Sequence, residues 1–238
     1  MRLAIVSDIH GNLGALDAIV RDLRTTAPDL VLHGGDLADG GGSPVEIVDR
    51  VRALGWPGVA GNTDEMLFDP PAFEAFAAQL PQLQGLWSVI AEMAEFSRQS
   101  LSDERLAWLR SLPRRHDEEG MSLVHASPQS LWRAPAHNAA DAEFDVYRAL
   151  GKPLVVYGHV HRPFVRQLEG LTVANSGSAG LPYDGDPRAS YLLIDDGTPA
   201  VRRVEYDIAA ECDALVASGL PHAQWAAGML RTAAFQMP

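Results

Sequence analysis

The chain has 238 residues, 47% of them hydrophobic and 21% charged, and a formal net charge of −12. That length supports one large core or two small ones, and the acidic balance argues against a surface that tracks nucleic-acid phosphates, which needs clustered Lys and Arg. The single cysteine, Cys212, excludes an intramolecular disulfide and a thiolate metal cluster, no run reaches the roughly 18 apolar residues of a membrane span, and Asp8 stands where a signal peptide would still be apolar, so a cytoplasmic location is expected.

In chain order, residues 3–6 read as a buried strand, and the helical pattern Leu13, Leu16, Ile19, Val20, Leu23 begins after Asn12, a good N-cap. A second unit has a strand over 30–33 and a Gly-rich loop. Ser43-Pro44-Val45-Glu46 then predicts a capping box with Pro at the first helical position. Val45, Val48, Val51 and Leu54 form that helix's apolar face, and Gly55 stops it. A third strand over 58–60 completes the pattern, so residues 1–61 predict successive βα units with a mainly parallel sheet.

From 68 to 115 the texture changes to helix formers punctuated by Pro70, Pro71, Pro81 and Pro113. Phe73, Phe76 and Leu80, then Leu86, Ile90, Met93 and Phe96, then Leu106, Leu109 and Leu112 recur at helical spacing, which predicts a helical insertion near the loop ends of one domain spanning 1–238. Strands are expected over 122–125, 154–157, 164–168, 171–174, 190–194 and 200–206. Glu169-Gly170 and Asp195-Asp196-Gly197 mark hairpin turns, and helices close the chain over 208–217 and 223–235.

Metal-capable side chains recur where apolar runs give way to loops: Asp8 and His10, Asp36 after Gly34-Gly35, Asn62 after Gly61, His125, and His159 and His161 in Gly158-His159-Val160-His161. Each alone has a plainer reading as a turn former, a helix cap or a satisfied buried histidine. Together they supply nitrogen and oxygen ligands in order at successive strand ends. That set suffices for two cations only if one carboxylate bridges ions roughly 3.5 to 4 Å apart, and Asp36 is the candidate bridge.

The ordered set Asp8-x-His10, Gly35-Asp36, Gly61-Asn62-x-Asp64, His125 and Gly158-His159-x-His161 resembles the calcineurin-like metallophosphoesterase superfamily, in particular its small bacterial and archaeal phosphodiesterases. Asn175-Ser176-Gly177-Ser178 is similar to a stretch that follows Gly-His-x-His in those members. The resemblance implies an α/β (α+β) fold, a four-layer α/β/β/α sandwich with a helical insertion about 68–115. It implies one divalent ion on Asp8, His10, Asp36 and His161 and a second on Asp36, Asn62, His125 and His159. With no thiolate in the set, Mn²⁺ is the first choice, and Fe or Zn²⁺ also fit. The implied activity is hydrolysis of a small-molecule or nucleotide phosphodiester by a metal-bridging hydroxide. A phosphomonoesterase or nucleotide pyrophosphatase would use the same ligands, and a non-catalytic interaction module is the alternative of another class.

The chain departs from the superfamily pattern in two places. Thr63 occupies the position of the His that is the presumed proton donor to the leaving oxygen, and a hydroxyl of ordinary pKa is a poor general acid. His33 and His137 are the other candidate acids. Gly40 stands where protein phosphatases carry Arg, which makes phosphoprotein substrates less attractive. Asp39 and Asp64 are candidates to orient ligating imidazoles, Arg133 could reach a substrate phosphate, and Phe73, Phe76, Trp87, Met93 and Phe96 could form an apolar wall for a base or aryl group.

Overall fold

A computed structural model describes residues 1–238. Strand β1 (Arg2–Val6) leads into α1 (Leu13–Thr26), capped by the Asn12 side chain, which accepts from the Ala15 N–H. Strand β2 (Leu30–His33) leads into α2 (Pro44–Leu54), which ends at Gly55 with φ 66°. Pro44 occupies the first turn as expected, but the Ser43 side chain makes no capping hydrogen bond, so the predicted capping box does not form. Helices α3 (Asn62–Phe68), α4 (Pro70–Ala77), α5 (Gln84–Ser100) and α6 (Asp103–Ser111) follow. Then come β3 (Arg115–Glu118), β4 (Met121–Val124), a 3₁₀ segment (Asp141–Leu150), β5 (Leu154–Tyr157), β6 (Phe164–Leu168), β7 (Leu171–Asn175), β8 (Ala189–Asp195), β9 (Thr198–Val204), α7 (Ile208–Ala217) and α8 (Ala223–Thr232). No helix is long and apolar enough to cross a membrane.

Two sheets form, in the orders β2-β1-β8-β9 and β3-β4-β5-β7-β6. The first corrects the expectation of a mainly parallel sheet: β1 pairs parallel with β2 but antiparallel with β8, which pairs antiparallel with β9. The reason lies at residues 58–60, which make only an isolated bridge to His33 instead of a strand. A Cβ on Gly58 would lie 2.2 Å from the His33 carbonyl oxygen, and Ala60 N donates to Pro113 rather than to a sheet neighbour. The sheet therefore grows on its other side, from the C-terminal hairpin.

Alternation of side chains along each strand sorts them into layers. Leu3 and Ile5 of β1, Leu32, Leu192 and Ile194 meet Met121, Leu123, Leu154, Val156 and Ala174 between the sheets. The intervening Ala4, Val6 and Tyr191 pack with Leu16 and Ile19 of α1 and with Ile47, Val48 and Val51 of α2. On the far face, Val124, Val155, Tyr157 and Val173 meet Phe144, Tyr147 and Leu150 of the 3₁₀ segment. The result is the four-layer α/β/β/α sandwich. Leu109 of α6 and Ala94 of α5 join the same cluster as α1 and α2, while Met93 packs with Cys212, Leu215 and Leu230 of the closing helices.

Candidate metal centre

Five loops at the C-terminal ends of β1, β2, β4, β5 and β7 interlace through their backbones. Asp8 N donates to Gly35 O and His10 N to Asp36 O, which zips the first loop to the second. Gly158 N donates to His125 O, and Ala179 N and Gly180 N donate to Ser7 O and Asp8 O. Close approach demands glycine: a Cβ on Gly61 would lie 2.0 Å from Asp36 Oδ1, and one on Gly158 would lie 2.4 Å from Asp8 Oδ2.

This lacing holds the side chains in one cluster. Asp8, His10, Asp36 and His161 are all buried, and their ligand atoms lie within 4.8 Å of one another. Asp36 Oδ2 is 3.6 Å from His10 Nε2 on one side and 3.4 Å from His125 Nε2 on the other. Asn62 Oδ1 lies 2.9 Å from both His125 Nε2 and His159 Nδ1. All seven residues expected as ligands are therefore together, with His159 the one partly exposed member.

The tautomers follow from the outer partners. The Nδ1 atoms of His10, His125 and His161 face the carbonyls of Asp39 (2.7 Å), Gly34 (2.8 Å) and Leu181 (2.6 Å). A carbonyl only accepts, so each Nδ1 carries the hydrogen and each neutral ring presents its Nε2 lone pair inward. His10 Nε2 and His161 Nε2 then face each other at 3.1 Å. Two lone pairs at that separation, flanked by the Asp8 and Asp36 carboxylates, repel unless a cation lies among them. The donor set thus fits a divalent metal ion on its own chemistry.

In the metal-free chain protons partly substitute for that charge. Burial opposes ionisation of Asp36, but His125, His10 and His159 outweigh it and hold Asp36 well below the usual carboxylate range. Burial likewise disfavours a charged His125, yet Asp36 outweighs it and lifts the imidazole to about 10. His159 is pushed down to about 4 by burial and by His125. Burial opposes ionisation of Asp8 too, but His161 and His125 together outweigh it and lower this carboxyl as well.

The backbone supports the site through strain that the sequence does not announce. Asp8 (φ 56°), His10 (48°), Asp36 (54°), His159 (67°) and His161 (54°) all occupy the left-handed region, which non-glycine residues rarely enter. Such strain persists where surrounding structure over-determines it, typically at functional sites. The Asp64 carboxylate accepts from the N–H groups of Asp36, Leu37 and Gly61, so it organises the loop backbone and orients no imidazole. Asp39 orients His10 through its carbonyl, while its carboxyl accepts from Ser97 Oγ of α5.

The remaining expected residues lie elsewhere. Thr63 N donates to Asp36 Oδ1, and its buried Oγ1 has no partner. The His33 ring is fully buried, tilted against Trp108, and has neither nitrogen hydrogen-bonded. Burial and His116 lower it to about 3. His137 sits exposed in its loop, where its carbonyl accepts from Arg166. Arg133 is engaged with Gln79 and the Phe76 ring. Phe73, Phe76 and Trp87 form an aromatic cluster with Trp132 of the loop after His125, whereas Met93 and Phe96 pack toward the closing helices and contribute no wall.

The family model for the calcineurin-like phosphoesterase superfamily domain matches residues 1–198. The chain belongs to that superfamily. It is a superfamily of metal-dependent phosphoesterases, and the buried Asp and His cluster just described agrees with that membership. An uncharacterized protein from Methanocaldococcus jannaschii is 29% identical over 92% of this chain and 93% of its own length. A symmetrical bis(5'-nucleosyl)-tetraphosphatase from Methylococcus capsulatus is 29% identical over 63% of this chain, which spans about half (52%) of that relative. The crystal structure of a metallophosphoesterase from Sphaerobacter thermophilus superposes with TM-score 0.78 and 27% identity, covering 98% of this chain and all (100%) of that one.

Proposed function

We propose that the chain hydrolyses a phosphodiester bond in a small molecule or nucleotide with the aid of two divalent ions, Mn²⁺ foremost. One ion is assigned to Asp8, His10, Asp36 and His161, the other to Asp36, Asn62, His125 and His159. The observation that carries the reading is Asp36 Oδ2, a single oxygen flanked by His10 at 3.6 Å and His125 at 3.4 Å, where a bridging carboxylate is needed. Divalent ions bound there supply Lewis acidity to the phosphoryl oxygens and lower the pKa of the attacking water. The chain's own part is to hold the donors in place, with Asp36 fixed by Thr63 N through its other oxygen and the tautomers of three imidazoles set by backbone carbonyls. A preset site of this kind lowers the reorganisation needed during reaction.

Proton delivery is the weak part of this apparatus. Thr63 offers only a hydroxyl, His33 is sealed against Trp108, and His137 shares no hydrogen bond or ring contact with the cluster. Leaving groups of low pKa are therefore favoured: aryl esters among artificial substrates and phosphoanhydrides among nucleotides. The tetraphosphatase relative supports the second class, since its named substrate is cleaved at an anhydride.

The test is turnover of bis(p-nitrophenyl) phosphate by metal-stripped protein with Mn²⁺ restored, beside the p-nitrophenyl monoester, a dinucleoside tetraphosphate and the Asp36→Asn variant. Mn²⁺-dependent cleavage of the diester, lost in Asp36→Asn, is the expected outcome, and cleavage of the dinucleoside tetraphosphate alone would move the assignment to a nucleotide pyrophosphatase. Turnover of the monoester alone would move the assignment to a phosphomonoesterase. Stoichiometric metal binding with no cleavage of any of the three would favour an interaction module.

A further inference from the structure

The segment following the Asn175-Ser176-Gly177-Ser178 stretch folds back over His161. Ser178 Oγ donates to Asp8 O and accepts from Leu181 N, while Gly180 lies so close to β1's loop that a Cβ there would sit 1.8 Å from Ile9 O. This fixes Leu181, whose carbonyl takes the His161 Nδ1 hydrogen at 2.6 Å. Two residues on, Tyr183 N donates to His161 O at 3.0 Å. The Tyr183 ring lies flat on the His161 imidazole, with centroids 4.6 Å apart and an interplanar angle of 17°.

Tyr183 is in turn held by the end of the chain. The Phe235 ring meets it edge-on at 5.8 Å, Gly185 N donates to Ala233 O, and Tyr183 Oη lies 4.0 Å from Met229 Sδ of α8. Trp225 Nε1 donates to Gln236 O and pins the tail from its other side. A run of contacts therefore leads from α8 and the tail, through one tyrosine, to one ligand of the proposed centre.

We infer that Tyr183 is a positioning residue for His161, and that the C-terminal tail sets its place. This rests on the two-ion reading above. A hydrogen bond through Nδ1 fixes the tautomer of an imidazole, but the ring torsion is broad and still has to be limited. The Tyr183 face supplies that limit, keeping Nε2 aimed between Asp8 and His10. No such ring lies against His125, whose aromatic neighbour, His159, meets it at 75°. The effect of Tyr183 is therefore confined to the ion held by His161.

The experiment is calorimetric titration of the metal-free 238-residue chain with Mn²⁺. The His161→Ala variant identifies which binding step belongs to that ligand. Tyr183→Leu is expected to weaken that same step about tenfold, within the range seen when groups that orient metal ligands are removed, and to leave the other step unchanged. Tyr183→Phe keeps the stacked ring and should bind as wild type. Phe235→Ala, at a position 46% exposed and therefore mild for folding, should weaken the same step by a smaller factor. Wild-type affinity in both Tyr183→Leu and Phe235→Ala would overturn the inference, as would equal weakening of both steps or a Tyr183→Phe loss matching Tyr183→Leu. Wild-type protein that takes up fewer than two ions would instead overturn the two-ion reading itself.

Discussion

Asp39 is a buried carboxyl whose charge the fold resists. Burial raises it from 3.8 to about 7, only partly countered by the hydrogen bond from Ser97. The folded chain thus binds this proton more tightly than the unfolded chain. Its contribution to stability is fully present below about pH 4 and is lost as pH rises through about 7, up to roughly 4 kcal/mol in total. Asp39→Asn retains an oxygen to accept from Ser97 and has no charge to lose. In the metal-free protein, its melting temperature should gain on wild type as pH goes from 5 to 8; a constant difference across that range would refute the assignment. Gly61→Ala acts by contact instead, because its Cβ would lie 2.0 Å from Asp36 Oδ1. It should abolish Mn²⁺ binding in a calorimetric titration and destabilise the fold by about 2 kcal/mol or more; retained binding would mean that Asp36 is not fixed by this contact. The candidate ligands were legible in sequence because their types and order are side-chain information. Of their orienting partners only Asp39 was a candidate, as a carboxylate, whereas it acts through its backbone carbonyl; Gly34 and Leu181 were not legible, because they too act through carbonyls that any residue carries. Tyr183 was invisible for a related reason: nothing in Leu181-Pro182-Tyr183 marks a ring that folds back twenty-two positions from where it begins to matter only in three dimensions.

Helices α5 and α6 are part of the core. Leu109 of α6 is fully buried in the cluster that contains α1 and α2, and Ser97 of α5 reaches the Asp39 carboxyl. A deletion of this region would expose that core, so it would unfold the protein rather than retune its selectivity. Leu109→Ala should cost about 2–5 kcal/mol in chemical denaturation, as full burial demands; a loss well under 1 kcal/mol would show that α6 is peripheral. Long periodic elements such as α1, α2 and α5 were readable from apolar spacing, and the two hairpins from their Gly-containing turns. Strand β3 was not, because Arg115-His116-Asp117-Glu118 has no apolar residue and earns its place at a sheet edge by pairing with β4. The error at 58–60 has the opposite origin. Its composition suits a strand, but the chain there spends its hydrogen bonds on His33 and Pro113.

Over the whole molecule, folding without metal has to gather several buried acids, Asp8, Asp36, Asp39 and Asp64, at one end of a chain of net charge −12. It also has to hold Asp8 and Asp36 themselves, with His10, His159 and His161, in left-handed backbone conformations, each unfavourable by about 1–3 kcal/mol. Divalent ions bind the folded arrangement and have no comparable site in the unfolded chain, so the two-ion proposal links metal concentration to stability. At roughly one hundred times the dissociation constant each ion adds about 2.7 kcal/mol, and each kcal/mol raises the melting temperature of a chain this size by about 2–4 °C. Restoring Mn²⁺ to stripped protein should therefore raise the melting temperature by roughly 10–20 °C when both positions fill, and a chelator should reverse the rise. His161→Ala disturbs one ligand set and should keep about half of it. Asp36→Asn removes the oxygen shared by both sets and should lose most of it. Equal rises in the two variants would argue against a shared carboxylate, because only a bridge makes one substitution count twice.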